Sequence, residues 1–402
     1  MGDFVRQAAD DDIDEHSAKH QAQVTADIQS IPDDITIIPF QPPSDSTRTE
    51  DEQDDNEAHE QEVDEEEEEE EDRGSYYWDA ATMTPLNAAS AAAIARLRAF
   101  KPPPFPLWDR LPVSRRAAVL MLLYADRRGD LRVVITMRAA SLRSFSGHAA
   151  LPGGKADTLE ETPYQIARRE AWEEIGLPMD DSRIPAPFRI EHLCYLPFNL
   201  ARTELVVRPC VALLHAAEPP VPTSSTVVTP TVEESLIPKL DAKEVAAVFS
   251  APFHNFLRSR DEVHADEQRK VPAGKWYEGS WAHWHEEPWR MHFFYVPVTN
   301  QRVTKPKLRD GGLASIAEHT EDDMDEETPG RYKVWGMTAR ILVDAATVAY
   351  GEEPEFEHNS HFGDEQMIDG LEKLGRLGPK KRPGSELTSE DLKKAAKEAA
   401  KM

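Results

Sequence analysis

Short apolar runs separated by polar turns predict a β-sheet in the middle of the chain. Residues 117–124 and 131–137 lie on either side of a charged turn, which is the pattern of two neighbouring buried strands. The run at 245–249 belongs to a short segment that we interpret as a helix. Runs of the strand type predict further strands at 190–196, 205–214 and 291–296.

Three other segments predict helices. Alanine-rich sequence at 86–100 ends before a run of prolines, which lack the amide that the next helical turn needs. Another helix is predicted at 335–349, with Gly351 directly after it as a stop signal. Between them, Thr162 and Gln165 form the pattern of a capping box. Pro163 fits the first position of this helix, and Gly176 fits its end. The apolar residues that recur every three or four positions along it are Tyr164, Ala167, Ala171 and Ile175.

Long stretches without apolar periodicity interrupt this pattern. Structureless loops of such length are unusual inside a compact domain, so we predict disordered insertions near 216–239, 258–270 and 299–331. The pattern therefore predicts one domain at 85–352. Residues 353–402 are expected to form a polar tail, with a short basic helix at 389–401.

The charge of the chain is concentrated in its first fifth. The whole sequence has a net charge of −28, and residues 1–75 alone hold 27 acidic and 4 basic residues. Seven adjacent glutamates at 65–71 repel one another and do not fold, so we predict a disordered acidic tail at 1–80. The remainder has no basic surplus with which to neutralise phosphates, which predicts that nucleic acid is not a partner.

Two cysteines, Cys194 and Cys210, are too few for a disulfide scaffold or a cysteine-rich zinc module, and we expect buried free thiols. No apolar run approaches the length of about 18 residues that a transmembrane helix requires. The sequence turns acidic directly after Met1, which predicts neither a secretory signal nor an arginine-rich transit peptide.

The candidate chemistry lies on the capped helix. Glu170, Glu173 and Glu174 share one helical turn, where each like-charge pair costs roughly 0.2–0.5 kcal/mol. A turn rich in glutamate is usually just a solvated face. Here it follows a predicted strand and a Pro-Gly-Gly sequence, so the acids suit divalent cations such as Mg²⁺. Arg169 lies between them and is positioned to reach back to Glu161.

These residues resemble the signature of the Nudix hydrolase family, Gly-x5-Glu-x7-Arg-Glu-(apolar)-x-Glu-Glu-x-Gly-(apolar). Residues 169–177 fit its second half at every fixed position, and Glu161 takes the upstream glutamate position. One departure exists: strict spacing places the glycine at Lys155, whereas Gly154 comes one residue earlier.

The sequence just upstream, 134–154, resembles the signature of the coenzyme A diphosphatase branch of this family, in which the extra loop residue is expected. Leu151 stands where that signature has phenylalanine. The positions that match at the required spacing are Thr136, Arg138, Ala139, Arg143, Gly147, Pro152, Gly153 and Gly154.

The resemblance implies an α/β fold, the Nudix α/β/α sandwich with a mixed sheet. It implies Mg²⁺ or Mn²⁺ held by Glu170, Glu173 and Glu174, with Arg169 completing the catalytic set. Arginines that flank a strand are commonly surface charges. Because Arg138 and Arg143 precede the candidate phosphate loop, we expect at least one to bind substrate, together with Gly153 and Gly154. The proton acceptor stays open among Glu173, Glu160 and downstream acids.

The substrate implied by the resemblance is coenzyme A or acyl-CoA, cleaved to 3′,5′-ADP and (acyl-)4′-phosphopantetheine. One alternative is a nucleotide-pool diphosphatase acting on 8-oxo-dGTP. Another is a non-catalytic Nudix scaffold whose acidic tail binds basic partners, which the intact acids disfavour. The aromatic stretch at 276–295 is interpreted as core rather than as an adenine-stacking surface.

The last three residues fit a relaxed form of the small–basic–apolar peroxisomal tripeptide. Ala400, Lys401 and Met402 therefore predict contact with a peroxisomal import receptor, and several lysines just upstream keep this end basic. A three-residue match also arises by chance. The predicted location is peroxisomal, with the cytoplasm as the alternative.

Overall fold

A computed structural model describes residues 35–38, 86–139, 147–184, 188–216, 245–263, 271–284, 287–298, 301, 303, 305, 330–379 and 388–399. Its strands are β1 (Ile35–Ile38), β2 (Arg116–Ala125), β3 (Leu131–Arg138), β4 (Ala149–Ala150), β5 (Gly153–Lys155), β6 (Phe188–Tyr195), β7 (Asn199–Leu200), β8 (Val206–Ala216), β9 (Val245–Pro252), β10 (Tyr277–Trp284), β11 (Glu287–Pro297) and β12 (Arg331–Trp335). Its α-helices are α1 (Ala88–Ala99), α2 (Pro163–Ile175), α3 (Gly336–Tyr350), α4 (Glu365–Lys373) and α5 (Ser389–Ala399).

The main sheet is mixed and has β2 near its centre. Its order is β4-β3-β2-β8-β6, with β9 added to β3, β5 to β2 and β7 to β8. β2 runs parallel to β8 and antiparallel to β3 and β5. The near-continuous apolar sequence of β2 explains its place, because a strand that is covered on both faces has no polar side.

Helices cover both faces of this sheet. Leu120 and Leu122 of β2 belong to a core shared with α2 and α4, whereas Met121 and Leu123 belong to a second core. That second core includes α1, α3 and part of a smaller antiparallel sheet ordered β1-β10-β11-β12. The alternation follows from the two-residue period of a strand. The predicted α/β/α sandwich with a mixed sheet is confirmed.

Most predicted elements agree with the structure within a few residues. β2, β3, β6, β8 and β11 confirm the predicted strands, and α1 and α3 confirm the predicted helices. Gly351 ends α3 with a left-handed backbone, φ 67°. Cys194 and Cys210 are free and buried, as expected. The helical interpretation of 245–249 is wrong: β9 pairs antiparallel with β3, whose edge offers backbone partners that local sequence does not reveal.

The chain beyond residue 352 is not only a polar tail, which corrects the predicted domain boundary. Ile368 and Leu371 of α4 are fully buried against the core of α2. Asp364 accepts a hydrogen bond from the backbone N of Leu200 at 2.8 Å and pairs with Arg340 at 2.9 Å. These contacts join residues that are far apart in the sequence, so the polar composition of this segment does not reveal them. The predicted helix at 389–401 corresponds to α5.

Within the predicted acidic tail, the structure describes only β1. This strand pairs antiparallel with β10, so residues 35–38 are an ordered exception within the predicted tail. Its sequence, Ile-Thr-Ile-Ile, is rich in β-branched residues that favour strands. The other residues of 1–80 lie outside the described part of the chain.

The predicted insertions are only partly described. Residues 217–244 and 306–329 lie outside the described residues, as do 264–270. The first part of the insertion at 258–270 is held in place, which corrects that prediction for 258–263. Asp261 pairs with buried Arg331 at 2.9 Å, and the backbone N of Ser259 donates to Glu355 at 2.9 Å.

Among the described helices, none is long and apolar enough to cross a membrane.

Candidate active site

The helix that carries the acidic residues, α2, has fixed ends. Thr162 Oγ1 accepts a hydrogen bond from the backbone N of Gln165 at 3.3 Å, and Gln165 Oε1 accepts from the backbone N of Thr162 at 2.9 Å. Pro163 occupies the first helical position, and Gly176 ends the helix with φ 71°. The predicted capping box and stop are confirmed. They place the glutamates in the second half of the helix, away from its capped start.

One face of α2 anchors the helix to the main sheet. Ile166, Ala167, Ala171 and Ile175 are fully buried against β2 and β8. Residues four apart share a helix face, so this anchoring turns Glu170 and Glu174 together toward β5. The backbone N of Gly153 donates to Glu174 Oε2 at 3.2 Å. The two carboxylates therefore lie where the glycine strand meets the helix.

The two glycines of β5 are required by close approach to protein atoms. A Cβ on Gly153 would collide with the carbonyl oxygen of Ala118 and with Val119 in β2. A Cβ on Gly154 would collide with the carboxylate of Glu170. Gly153 thus allows β5 to pair with β2, and Gly154 leaves room for the Glu170 carboxylate.

Arg169 joins the helix to the strand and loop before it. Its Nε donates to Glu161 at 2.8 Å, its Nη1 to Glu170 at 3.0 Å, and its Nη2 to the carbonyl oxygen of Lys155 at 2.7 Å. Burial opposes the charge of Arg169, but the bonds to Glu161 and Glu170 outweigh it and raise the pKa of the guanidinium. The predicted contact between Arg169 and Glu161 is confirmed.

Glu161 organises the loop that precedes the helix. Its Oε2 accepts hydrogen bonds from the backbone N of Asp157 at 2.7 Å and of Thr158 at 3.3 Å. Partial burial raises the pKa of Glu161, but the hydrogen bonds from Arg169 and these two amides lower it more, leaving it below its ordinary value. Glu161 is therefore ionised at neutral pH and acts as a positioning residue for Arg169.

The structure also brings Arg138 to the acidic cluster. Arg138 is the last residue of β3, and its Nη1 lies 4.0 Å from Glu174 Oε1. The Glu174 side chain is 6% exposed, whereas that of Arg138 is 29% exposed. Arg138 Nε is buried with no hydrogen-bond partner among the described residues. Arg143 lies outside the described residues, so its predicted role stays a prediction.

The three glutamates differ in environment. Glu174 is buried, the Glu170 side chain is 15% exposed, and that of Glu173 is 41% exposed. Arg169 Nη1 reaches Glu173 Oε2 at 3.4 Å as well. Glu170 and Glu174 thus form the inner pair beside β5, and Glu173 faces solvent next to them.

The donor set of this cluster fits a hard divalent cation. Among the described residues, no three His, Cys, Asp or Glu side chains form a ready-made metal cage. Mg²⁺ is ordinarily held by one or two carboxylates, and waters and substrate phosphates complete its shell. Glu170 and Glu174, four residues apart on one face of α2, supply two such carboxylates, with Glu173 beside them. The residues present therefore suit Mg²⁺ or Mn²⁺ bound together with a phosphate substrate.

Comparison with known proteins agrees with this geometry. The family model described as NUDIX domain matches residues 114–210, from just before β2 into β8. Peroxisomal coenzyme A diphosphatase 1 of Saccharomyces cerevisiae is 32% identical over 273 residues, covering 66% of this chain and 77% of that protein. This chain belongs to the Nudix hydrolase family. As a Nudix hydrolase, it is an enzyme of the class that cleaves acid anhydrides of phosphate.

Other relatives match this Nudix hydrolase less completely. Nudix hydrolase 22, chloroplastic, of Arabidopsis thaliana is 31% identical over 242 residues, which is 60% of this chain and 58% of that protein. Among solved structures, a C. elegans Ap4A hydrolase is similar at 18% identity, covering 35% of this chain and 81% of that one, with a TM-score of 0.24. Nudix hydrolases generally need divalent metal ions such as Mg²⁺ or Mn²⁺.

Two residues near the Nudix site received no role from the sequence. The ring of His148 lies 4.8 Å from the ring of Trp335, at the junction of β4 and β12. The expectation that the aromatic stretch 276–295 is core holds for Trp276 and Phe294, which are buried, but not for half-buried Phe293.

Proposed function

We propose that this Nudix hydrolase cleaves the diphosphate linkage of coenzyme A or acyl-CoA, giving 3′,5′-ADP and (acyl-)4′-phosphopantetheine. The observation that carries the proposal is the position of Arg138. This arginine belongs to the segment that resembles the coenzyme A diphosphatase signature, and its guanidinium lies 4.0 Å from Glu174. The yeast relative that is named a coenzyme A diphosphatase supports the same substrate.

Each residue of the site has its own expected role in hydrolysis. Glu170 and Glu174, with Glu173 beside them, would hold Mg²⁺ or Mn²⁺, which neutralises phosphate charge and lowers the pKa of an attacking water. Arg169 fixes the carboxylate of Glu170 against Gly154 and holds Glu173 within reach. Arg138 offers a fork of N–H donors, which suits bidentate contact with a phosphate of the substrate. The intact carboxylate set disfavours a non-catalytic scaffold.

A substrate panel tests the proposal directly. Purified protein is incubated with coenzyme A, acyl-CoA and 8-oxo-dGTP, each with Mg²⁺ or Mn²⁺, and products are separated by chromatography. We expect the highest kcat/KM on coenzyme A or acyl-CoA, with 3′,5′-ADP among the products. A higher kcat/KM on 8-oxo-dGTP would replace this proposal with the nucleotide-pool function.

Replacing Arg138 with alanine is expected to lower coenzyme A hydrolysis about 10-fold more than hydrolysis of a simple dinucleoside diphosphate. The physical reason is the loss of a charge-assisted hydrogen bond to the substrate, worth roughly 1.5–3 kcal/mol. Hydrolysis of both substrates is also expected to fall by a common factor, because Glu174 loses the neighbouring guanidinium of Arg138. The ratio of kcat/KM for coenzyme A to kcat/KM for the dinucleoside diphosphate cancels this common loss and reports the contact between Arg138 and the substrate.

Arg189→Ala, at an exposed position of β6, is the matched control for this comparison and should leave both activities unchanged. Equal losses on both substrates in Arg138→Ala would show that Arg138 only supports Glu174. That outcome would remove the main structural argument for coenzyme A.

We further propose that the protein resides in peroxisomes, a location supported by the name of the yeast relative. The plant relative carries a chloroplast name, so the compartment varies within the family. Residues 400–402 lie outside the described part of the chain, and their role stays a prediction. A fluorescent protein fused ahead of the last dozen residues should collect in peroxisomes and disperse when Met402 is deleted. Diffuse fluorescence of the intact fusion would contradict the proposal.

A further inference from the structure

The outer face of the small sheet carries a row of aromatic and basic side chains. Phe293 of β11 pairs in register with Trp335 of β12, and Tyr295 pairs with Lys333. Alternate residues of a strand share a face, so these four lie on one side of the sheet, where Tyr295 is buried and the other three are half-buried. The residues between them, Phe294, Val296 and Val334, are fully buried on the other side.

These side chains form one continuous surface, which we call the Trp335 platform and define as Trp335, Phe293 and Lys333. The rings of Phe293 and Trp335 are nearly parallel, with an interplanar angle of 18° and centroids 6.0 Å apart. Lys333 Nζ lies 5.1 Å from the centroid of Phe293. All three members are half-buried, so each exposes part of its surface.

The platform is connected to the candidate active site through His148. The ring of His148 lies 4.8 Å from that of Trp335, and its carbonyl oxygen accepts a hydrogen bond from the backbone N of Arg138 at 3.0 Å. Arg138 in turn lies 4.0 Å from Glu174. A molecule that places its diphosphate at Glu174 therefore has Arg138, and beyond it an aromatic and cationic surface, on one side.

We infer that the Trp335 platform binds the adenosine 3′-phosphate end of the substrate, an inference that rests on the proposed function. Trp335 and Phe293 are partly exposed aromatic side chains, the kind on which a purine stacks. Lys333 supplies a point charge, which suits a monophosphate. In coenzyme A the adenine and the 3′-phosphate are two branches of the ribose that is joined to the diphosphate. Aromatic rings with a cation next to them, beside the position of the diphosphate, therefore suit this end of the molecule.

Binding of two product-like nucleotides tests the inference without turnover. 3′,5′-ADP and 5′-AMP contain no diphosphate linkage, and their affinities are measured by titration calorimetry. The wild type is expected to bind 3′,5′-ADP more tightly than 5′-AMP. Trp335→Ala should weaken both about 5-fold or more, the range of base stacking on an aromatic side chain. Trp335→Phe, which keeps a ring, should retain most of the affinity.

Lys333→Ala should remove the preference for 3′,5′-ADP and leave 5′-AMP binding nearly unchanged. Trp281→Ala is the control, because Trp281 is a tryptophan on the opposite face of the same sheet, where it pairs in register with Arg290. This variant should bind both nucleotides as the wild type does. Wild-type affinity in Trp335→Ala, or no binding of either nucleotide by the wild type, would overturn the inference.

Hydrolysis separates this inference from the proposed function. We expect Trp335→Ala to raise the KM for coenzyme A about 5-fold or more, with kcat nearly unchanged, because the platform lies away from the reacting phosphates. Coenzyme A hydrolysis with an unaltered KM in this variant would leave the proposed function standing and reject the platform. Nucleotide binding that depends on Trp335, in a protein that does not hydrolyse coenzyme A, would support the platform and reject the proposed function.

Discussion

Replacing Glu174 with glutamine is expected to lower kcat by about 10³-fold while the protein stays folded. Glutamine keeps the size of the side chain and still accepts the hydrogen bond from Gly153 N, but it removes the negative charge. Loss of one carboxylate ligand removes several kcal/mol of charge stabilisation from a metal-assisted reaction, and each 1.36 kcal/mol is tenfold in rate. The measurement is kcat at saturating substrate over a range of Mg²⁺ concentrations.

Thermal unfolding and a matched variant control this experiment. Glu353→Gln removes the same charge at an exposed position just after α3, and both kcat and Tm should stay at wild-type values. Glu174→Gln should unfold within a few degrees of the wild type, because the isosteric side chain leaves no cavity. Near-normal kcat at saturating Mg²⁺ in a folded Glu174→Gln would show that Glu174 is not a metal ligand.

Gly154→Ala is expected to lower kcat by about 10- to 100-fold through a single added methyl group. The new Cβ would occupy the position of the Glu170 carboxylate, which must rotate away and give up its hydrogen bond from Arg169. A misplaced catalytic group costs roughly 10²-fold in rate. The measurement is kcat together with Tm, since a positioning effect lowers kcat more than it lowers stability.

Two other glycines make this prediction specific. Gly378→Ala adds the same methyl group where no atom lies within 4 Å, so both kcat and Tm should be unchanged. Gly153→Ala should instead lower Tm strongly, because its Cβ collides with the backbone of β2, which cannot move as a side chain can. Full activity of Gly154→Ala would mean that the position of Glu170 does not matter for turnover.

The helix that carries the acidic cluster could be predicted from the sequence because its determinants are local. The capping box of Thr162 and Gln165 closes within four residues, and Gly176 ends the helix by its own backbone freedom. The contact between Arg169 and Glu161 is also predictable, since both residues lie in one short segment. These interactions depend only on spacing along the sequence, so they can be predicted without knowledge of the rest of the fold.

Two local sequences misled the prediction because their partners are distant. The run at 245–249 becomes a strand only because the edge of β3 pairs with it. The segment beyond residue 352 is polar in composition, yet Asp364 and Ile368 are buried against elements far away in the sequence. Burial of a few residues in a polar segment is decided by what packs on it, which composition does not reveal.

The sequence by itself determined the family motif, the capped helix and the choice of Glu170, Glu173 and Glu174, because each follows from spacing along one helix. Only the tertiary structure decided that Glu174 is buried beside Arg138, and that Gly154 makes room for Glu170. It alone places the Trp335 platform next to Arg138, through His148. The physical reason is that strand pairing brings together residues whose separation along the chain carries no information about their distance in space.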